Sequence, residues 1–512
     1  MSMLKLSSEL DGRILSFLEG DRSALNSLSR VSKYYRGLAI PYLYKNLHFD
    51  TAQEDRIHYL LFTLLENPEL ALHVKTFALN TAPTLPPDKK NTAYYAELWD
   101  SVNCIRHTIN DLGRHYLPIQ VLLQWNSSVF AQYPSFDGQI AIVLCMATNL
   151  EELTMAYDLP ISSWLLGTKW MPKEGETVYP FHKLKMLNCH TRLQPSCLPS
   201  LQTLKMRNCG GKLPCLPYKF PSGVKVQAML QTLEITHVYF DLVKFESLLA
   251  CQELRNLKTL KVCGVGNEIG DWNVENALQD LNQYDYTRMS AAISRYLPEL
   301  EILHWKEVRY DREWGAIYPF GSLNKLTKLR DLEIMKHLLR NREQEDPLQR
   351  SPHLSDPVGH LPLSLQHILI DDVSDFELGE LLKNYARTAE DREDTIQYLT
   401  QLISPFQDLK VVELGLDLTT DCGFDRTSVW EPKQTLKAFL RQLADELDKV
   451  GVVFEAFRMP HGFSEQKRVI VRAGYTRPWP VWDDVDSEEW SWKDKRRLEK
   501  GIPPEATTPE RW

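Results

Sequence analysis

The stretch Leu198-Pro199-Ser200-Leu201-Gln202-Thr203-Leu204-Lys205-Met206-Arg207-Asn208-Cys209 changes its apolar period partway along. Leu198, Leu201 and Leu204 follow one another at three-residue steps, the stride of a turn or short helix. Met206 comes after two, the stride of a strand. The same figure returns as Leu254, Leu257, Leu260, Val262; as Leu297, Leu300, Leu303, Trp305; and as Leu326, Leu329, Leu332, Ile334. Looser copies stand at Leu150-Leu153-Met155, Leu184-Leu187-Cys189, Leu230-Leu233-Ile235, Leu365-Ile368-Ile370 and Leu409-Val412-Leu414, each taken singly no better than chance. One such unit has too little apolar surface to fold alone. Stacked neighbours complete the core, each adding a parallel strand beside the last.

This figure resembles the leucine-rich repeat, with Leu201 to Cys209 the nearest match in the chain. The period is poor, because successive strand leucines lie anywhere from about 17 to about 44 residues apart. The resemblance therefore implies degenerate units with insertions over residues 50–480. Among the insertions, Pro83 to Lys90 reads as a polar loop and Asn341 to Gly359 as a longer charged one. Leu98, Val102, Ile105, Ile109 and Leu112 form one helical stripe, and Glu380 to Leu402 reads as a charged amphipathic helix. Residues 481–512 shift composition again: tryptophans interleave with acids and then bases, as in a terminal cap or tail.

The first fifty residues are punctuated differently. Ser7 or Ser8 can cap a helix in which Leu10, Ile14 and Phe17 or Leu18 share a face; Gly20 and Asp21 end it. Asp21 or Ser23 can cap a second helix, Leu25, Leu28, Val31 and Tyr35 continue a stripe, and Pro41 is expected to punctuate it. Three helical pieces in about 45 residues are too small for an independent core, so an apolar face is left for a partner.

Leu6 to Phe49 resembles an F-box of the fungal type. The matching pieces are the Leu6-x-x-Glu9-Leu10 opening, Ile14 to Leu18, Arg30-Val31-Ser32-Lys33 and the Pro41 to Tyr44 exit. Ser7 stands where the family usually has proline, and Tyr35 where it often has tryptophan. The resemblance implies an α/β chain with an N-terminal helical F-box (1–49), followed by an irregular leucine-rich-repeat-like solenoid. It also implies docking onto a Skp-type adaptor, and through it a cullin, by Leu6, Leu10, Ile14, Leu15, Leu18, Leu25, Leu28 and Val31. The function implied is that of a substrate-recognition subunit of a ubiquitin ligase, acting in the cytoplasm or nucleus on a protein target.

Composition agrees with that class. The 59 Lys+Arg and 68 Asp+Glu leave a net charge of −9, the wrong sign for a surface dominated by duplex nucleic acid. No apolar run nears the roughly 18 residues of a membrane span. The nine cysteines have no CxxC pair or zinc spacing, which suits free thiols in a reducing compartment. Cys263 to Gly270 misplaces the third glycine of a nucleotide loop, and no GxSxG, HExxH or kinase set occurs, so no cofactor or catalytic role is expected. An enzyme and a repeat scaffold that docks the adaptor without delivering targets remain as alternatives.

A target site is expected on the strand positions that alternate with the inner leucines. These positions are Lys205, Arg207, Glu234, Thr236, Lys261, His304 and Lys306, mostly cations, then Asp331, Glu333, Asp371 and Glu413: a basic stretch beside an acidic one, with Lys205, Arg207, Lys261, His304, Lys306, Asp331 and Glu333 as the candidate target contacts.

Overall fold

Each apolar pair at two-residue spacing becomes the inward face of a strand, including every loose copy, although Ile370 and Leu414 are only partly buried. A computed structural model describes residues 8–49, 54–80, 136–155, 181–190, 198–207, 230–236, 242–251, 254–265, 286–307, 320–335, 361–374, 396–397, 400, 403–417, 430–458 and 468–472. The Pro83 to Lys90 and Asn341 to Gly359 loops, the Leu98 to Leu112 helix, nearly all of Glu380 to Leu402, and 481–512 lie outside the described residues.

Thirteen strands among the described residues lie side by side in chain order. They are β1 (Asn46–Phe49), β2 (Thr76–Leu79), β3 (Glu152–Met155), β4 (Met186–His190), β5 (Thr203–Arg207), β6 (Thr232–Thr236), β7 (Thr259–Val265), β8 (Ile302–Glu307), β9 (Asp331–Met335), β10 (His367–Ser374), β11 (Val411–Asp417), β12 (Val453–Arg458) and β13 (Arg468–Arg472). Neighbours from β1 to β12 pair in parallel, and β13 returns antiparallel on β12. This is a mixed α/β molecule in which each parallel strand is reached by a crossover.

The turn ahead of each strand explains the three-residue leucine step. In most units the leucine three residues before the strand leucine donates its N–H to the carbonyl three residues further back. Leu150 to Ala147, Leu201 to Leu198, Leu300 to Leu297 and Leu329 to Leu326 are examples, and the leucine step places both side chains of each turn inward. The turn then hands over to the next unit. The carbonyl of Lys258 accepts from the N–H groups of both Glu301 and Ile302, that of Glu301 from Arg330 and Asp331, and that of Arg330 from Gln366 and His367. These backbone groups are therefore paired at the sheet margin as well as within it.

One continuous core runs beneath the sheet from Leu47 to Ala456. Helices cover it: α4 (Glu54–Glu66), α5 (Phe136–Met146), α6 (Leu242–Leu249), α7 (Tyr286–Tyr296) and α8 (Trp430–Lys449). Trp305 is fully buried between the Phe245 and Phe320 rings, 5.8 and 5.3 Å away, both edge-on. Among the described residues no helix is long and apolar enough to cross a membrane.

The N-terminal unit has its own small core. Helices α1 (Ser8–Phe17), α2 (Arg22–Ser29) and α3 (Lys33–Lys45) bury Leu15, Leu25 and Ala39, with Leu18, Leu28, Leu38, Tyr42 and Leu43 packed around them. Asp21 caps α2 by accepting from the Ala24 N–H at 2.9 Å, and Ser32 caps α3 by accepting from Tyr35 at 3.2 Å. Pro41 does not break the chain where the sequence reading expects it. It lies inside α3, which continues to Lys45 because Tyr42 and Leu43 pack on the small core while Ile40 and Tyr44 pack on the large one.

Candidate interaction surfaces

The α1 helix carries two apolar stripes side by side. One turns inward, with Leu15 at 1% exposure and Leu18 partly covered. Asp11 lies on that side too, buried and accepting a 2.9 Å hydrogen bond from the Tyr34 hydroxyl. The other points to solvent: Leu10 is 48% exposed, Ile14 47% and Phe17 88%. Val31 and Tyr34, also exposed, add to this apolar surface from α3 and the turn before it.

Of the residues expected to meet an adaptor, Leu10, Ile14 and Val31 are therefore exposed, and Leu18 and Leu28 half-buried. Leu15 and Leu25 hold the unit together from inside, and Leu6 lies outside the described residues. Phe17 and Tyr34 also belong to the exposed set; the sequence reading offered Phe17 for the apolar face as an alternative to Leu18 but counted neither residue among the adaptor contacts. Phe17 had a signal, since it follows Leu10 and Ile14 at i+7 and i+3. Tyr34 had none.

On the sheet, register aligns the expected target residues in rows. Asn188, Lys205, Glu234, Lys261, His304 and Glu333 stand opposite one another on successive strands. Instead of a basic stretch beside an acidic one, opposite charges meet across neighbouring strands. Lys205 Nζ lies 2.9 Å from Glu234 Oε2.

From β8 to β11 the charges form an alternating chain. Lys306 pairs with Glu333, whose Oε2 is 2.9 Å from His304 Nδ1. His304 Nε2 is 3.4 Å from Asp331 Oδ2, an ionic contact without hydrogen-bond alignment. Asp331 Oδ1 in turn lies 2.8 Å from His367 Nδ1, and His367 Nε2 is 3.6 Å from Glu413 Oε1. Among the described residues Lys261 has no carboxylate at ion-pair distance, and Arg207 ends its strand exposed.

This chain fixes the protonation of its members. Hydrogen bonding to Asp331, then the nearby Glu413, raises the His367 imidazole to about 9 against the opposing cost of burial. For His304 burial is the largest influence and pulls down, but Asp331 and Glu333 together outweigh it and raise the ring. Burial pushes the Asp331 and Glu333 carboxyls up, yet their cationic partners win: Glu333 falls to about 2 and Asp331 lies well below the usual carboxylate range. Among the described residues no group of His, Cys, Asp and Glu is arranged to hold a metal ion. Cys263 ends the repeat segment of β7 and its thiol is pushed up to about 11, first by burial, which makes it a poor nucleophile.

No protein-family model matches the chain, and no curated protein is significantly similar to it.

Proposed function

We propose that this chain is the non-catalytic, substrate-recognising subunit of a Skp–cullin–F-box ubiquitin ligase. In this reading residues 1–49 are the F-box and the sheet is an irregular leucine-rich-repeat-like array that holds a protein target. The supporting observation is the exposed stripe of Leu10, Ile14 and Phe17 on a helical unit whose inner faces pack on Leu15, Leu25 and Ala39. A soluble surface gains nothing from a phenylalanine left 88% exposed unless a partner covers it. The F-box resemblance supplies the partner's identity, a Skp-type adaptor and behind it a cullin, in the cytoplasm or nucleus.

The test is pull-down of the adaptor by the full chain and by Ile14→Asp/Phe17→Asp. Both positions are exposed, so the variant keeps its fold while charge enters the contact, and adaptor recovery should fall at least tenfold. Undiminished recovery by the folded variant would remove the adaptor reading. A target that accumulates when this variant replaces the wild type separates substrate delivery from adaptor docking without delivery.

A further inference from the structure

Immediately before each strand from β2 to β11, one residue faces outward along the margin where the strands start, and its backbone carries the handover between units. These residues include Lys75, Glu151, Lys185, Lys258, Glu301 and Arg330, followed by Gln366 and Lys410. Two carboxylates serve this margin as shared counterions. Glu151 lies 2.8 Å from Lys75 and 2.7 Å from Lys185, and Glu301 lies 3.1 Å from Lys258 and contacts Arg330. Hydrogen bonds from Lys185 and Lys75 hold the Glu151 carboxyl down at about 2. Each trio keeps a positive excess, and its cations stand further out than its carboxylate: Lys258 and Arg330 are 54% and 53% exposed, Glu301 22%. Lys410 and, in the preceding turns, Arg255 and Lys325 are exposed cations with no ion pair among the described residues.

A cationic margin on a chain of net charge −9 sets that margin apart from the rest of the molecule. On the sheet face, by contrast, Lys205, His304, Lys306 and His367 all have carboxylate partners on neighbouring strands. Apolar residues also break the margin's polar surface: Leu72 before β2, Leu363 before β10 and Val450 before β12 are each at least half exposed. Leucine and valine offer no platform for stacked bases, which a single-stranded nucleic acid would need. They do suit apolar side chains interspersed among acids. Lys258, Arg330 and Lys410 precede alternate strands β7, β9 and β11, so they recur at about 10 Å, two strand spacings; every third residue of an extended peptide recurs at the same distance.

We propose that the strand-start margin, from β7 to β11 above all, binds an acidic polypeptide segment in extended form, with carboxylates or phosphates about three residues apart and apolar residues between them. The inference goes beyond the adaptor reading and does not depend on it. The margin reads the segment by charge-assisted hydrogen bonds at spaced cations, and the exposed Leu363 between Arg330 and Lys410 favours an apolar residue between the acids.

The experiment uses the full chain and a fluorescent 15-residue peptide of repeating Glu-Ser-Leu, followed by anisotropy in low and moderate salt. The wild type should bind it, more weakly as salt rises. Lys258→Glu/Arg330→Glu/Lys410→Glu, checked for an unchanged circular dichroism spectrum, should weaken binding at least tenfold. A Ser-Leu peptide without acids, an oligo-dT of equal length and phosphatidylserine vesicles should bind at least tenfold more weakly. Absence of peptide binding, equal binding by the triple variant, or preference for the oligonucleotide or vesicles would overturn the proposal. So would loss of binding in Lys205→Glu/Arg207→Glu but not in the triple variant, because the sheet face would then be the site. Adaptor pull-down on the same samples reads the ligase proposal separately, so either can fail alone.

Discussion

Adjacent residues of α1 have opposite duties, and mutation separates them. Ile14 is 47% exposed and Leu15 1%. Leu15→Ala should cost about 2–5 kcal/mol of the N-terminal unit's stability through the cavity it leaves. Ile14→Asp should cost under about 1 kcal/mol, as expected at an exposed site. Only the second should sever an adaptor contact while leaving thermal unfolding unchanged; equal destabilisation by both would mean that Ile14 is core. His367 provides a second test. Its folded value of about 9 lies above the ordinary 6.5, so its contribution is complete below about pH 6.5 and is lost as pH rises through about 9. The shift bounds that contribution at about 3 kcal/mol. The urea midpoint of the wild type should therefore drop between pH 6.5 and 9.5, and His367→Gln should flatten the drop. Parallel curves for the two proteins would refute the assignment. The pairing behind this shift was not legible in the sequence, since register alone brings Asp331 and His367, 36 residues apart, side by side. The sheet-face residues could be identified by alternation, but their mutual neutralisation could not.

Elements were legible in proportion to how far they repeat. The four strict units are β5, β7, β8 and β9, and each loose copy is also a strand, β3, β4, β6, β10 or β11. A single Leu-x-x-Leu-x-apolar match is weak, but the row of pre-strand carbonyls from Lys45 to Lys410 makes each copy necessary to the next. Strands β2 and β12 were missed because Val74-Phe77-Leu79 and Val452-Phe454-Ala456 fill the same buried places without the leucines. Packing between an element and a turn is invisible to any such pattern. A Cβ added at Gly321, in the turn region before β9, would lie 2.5 Å from the Ser290 hydroxyl and 3.3 Å from the Thr287 backbone on α7. Ser290 is buried and donates to the Thr287 carbonyl at 2.9 Å, so it has little room to retreat. Gly321→Ala should cost about 1–3 kcal/mol, as overpacking does. Adding Ser290→Ala should recover part of that loss in chemical denaturation. An additive double variant would show that the clash is relieved elsewhere.

At the scale of the whole molecule, each unit touches chiefly its neighbours, as the chain-order pairing from β1 to β13 requires. Those contacts are a row of backbone bonds spanning every junction, while the lengths of chain between junctions vary widely. Mechanical load shows what such an arrangement means. Pulled from its two ends, the sheet is loaded across its ladder, so the bonds at one junction open together before the next junction bears the force. In an optical trap the chain should lengthen in unequal steps; among the parallel junctions the smallest should come from β4–β5, whose strand leucines Leu187 and Leu204 are close in sequence, at about 60 Å of released chain. A single cooperative rupture would mean that the crossovers clamp distant units together. Steps of graded size would make this a molecule that yields by instalments, shedding its outer strands under strain while the middle ones remain in place.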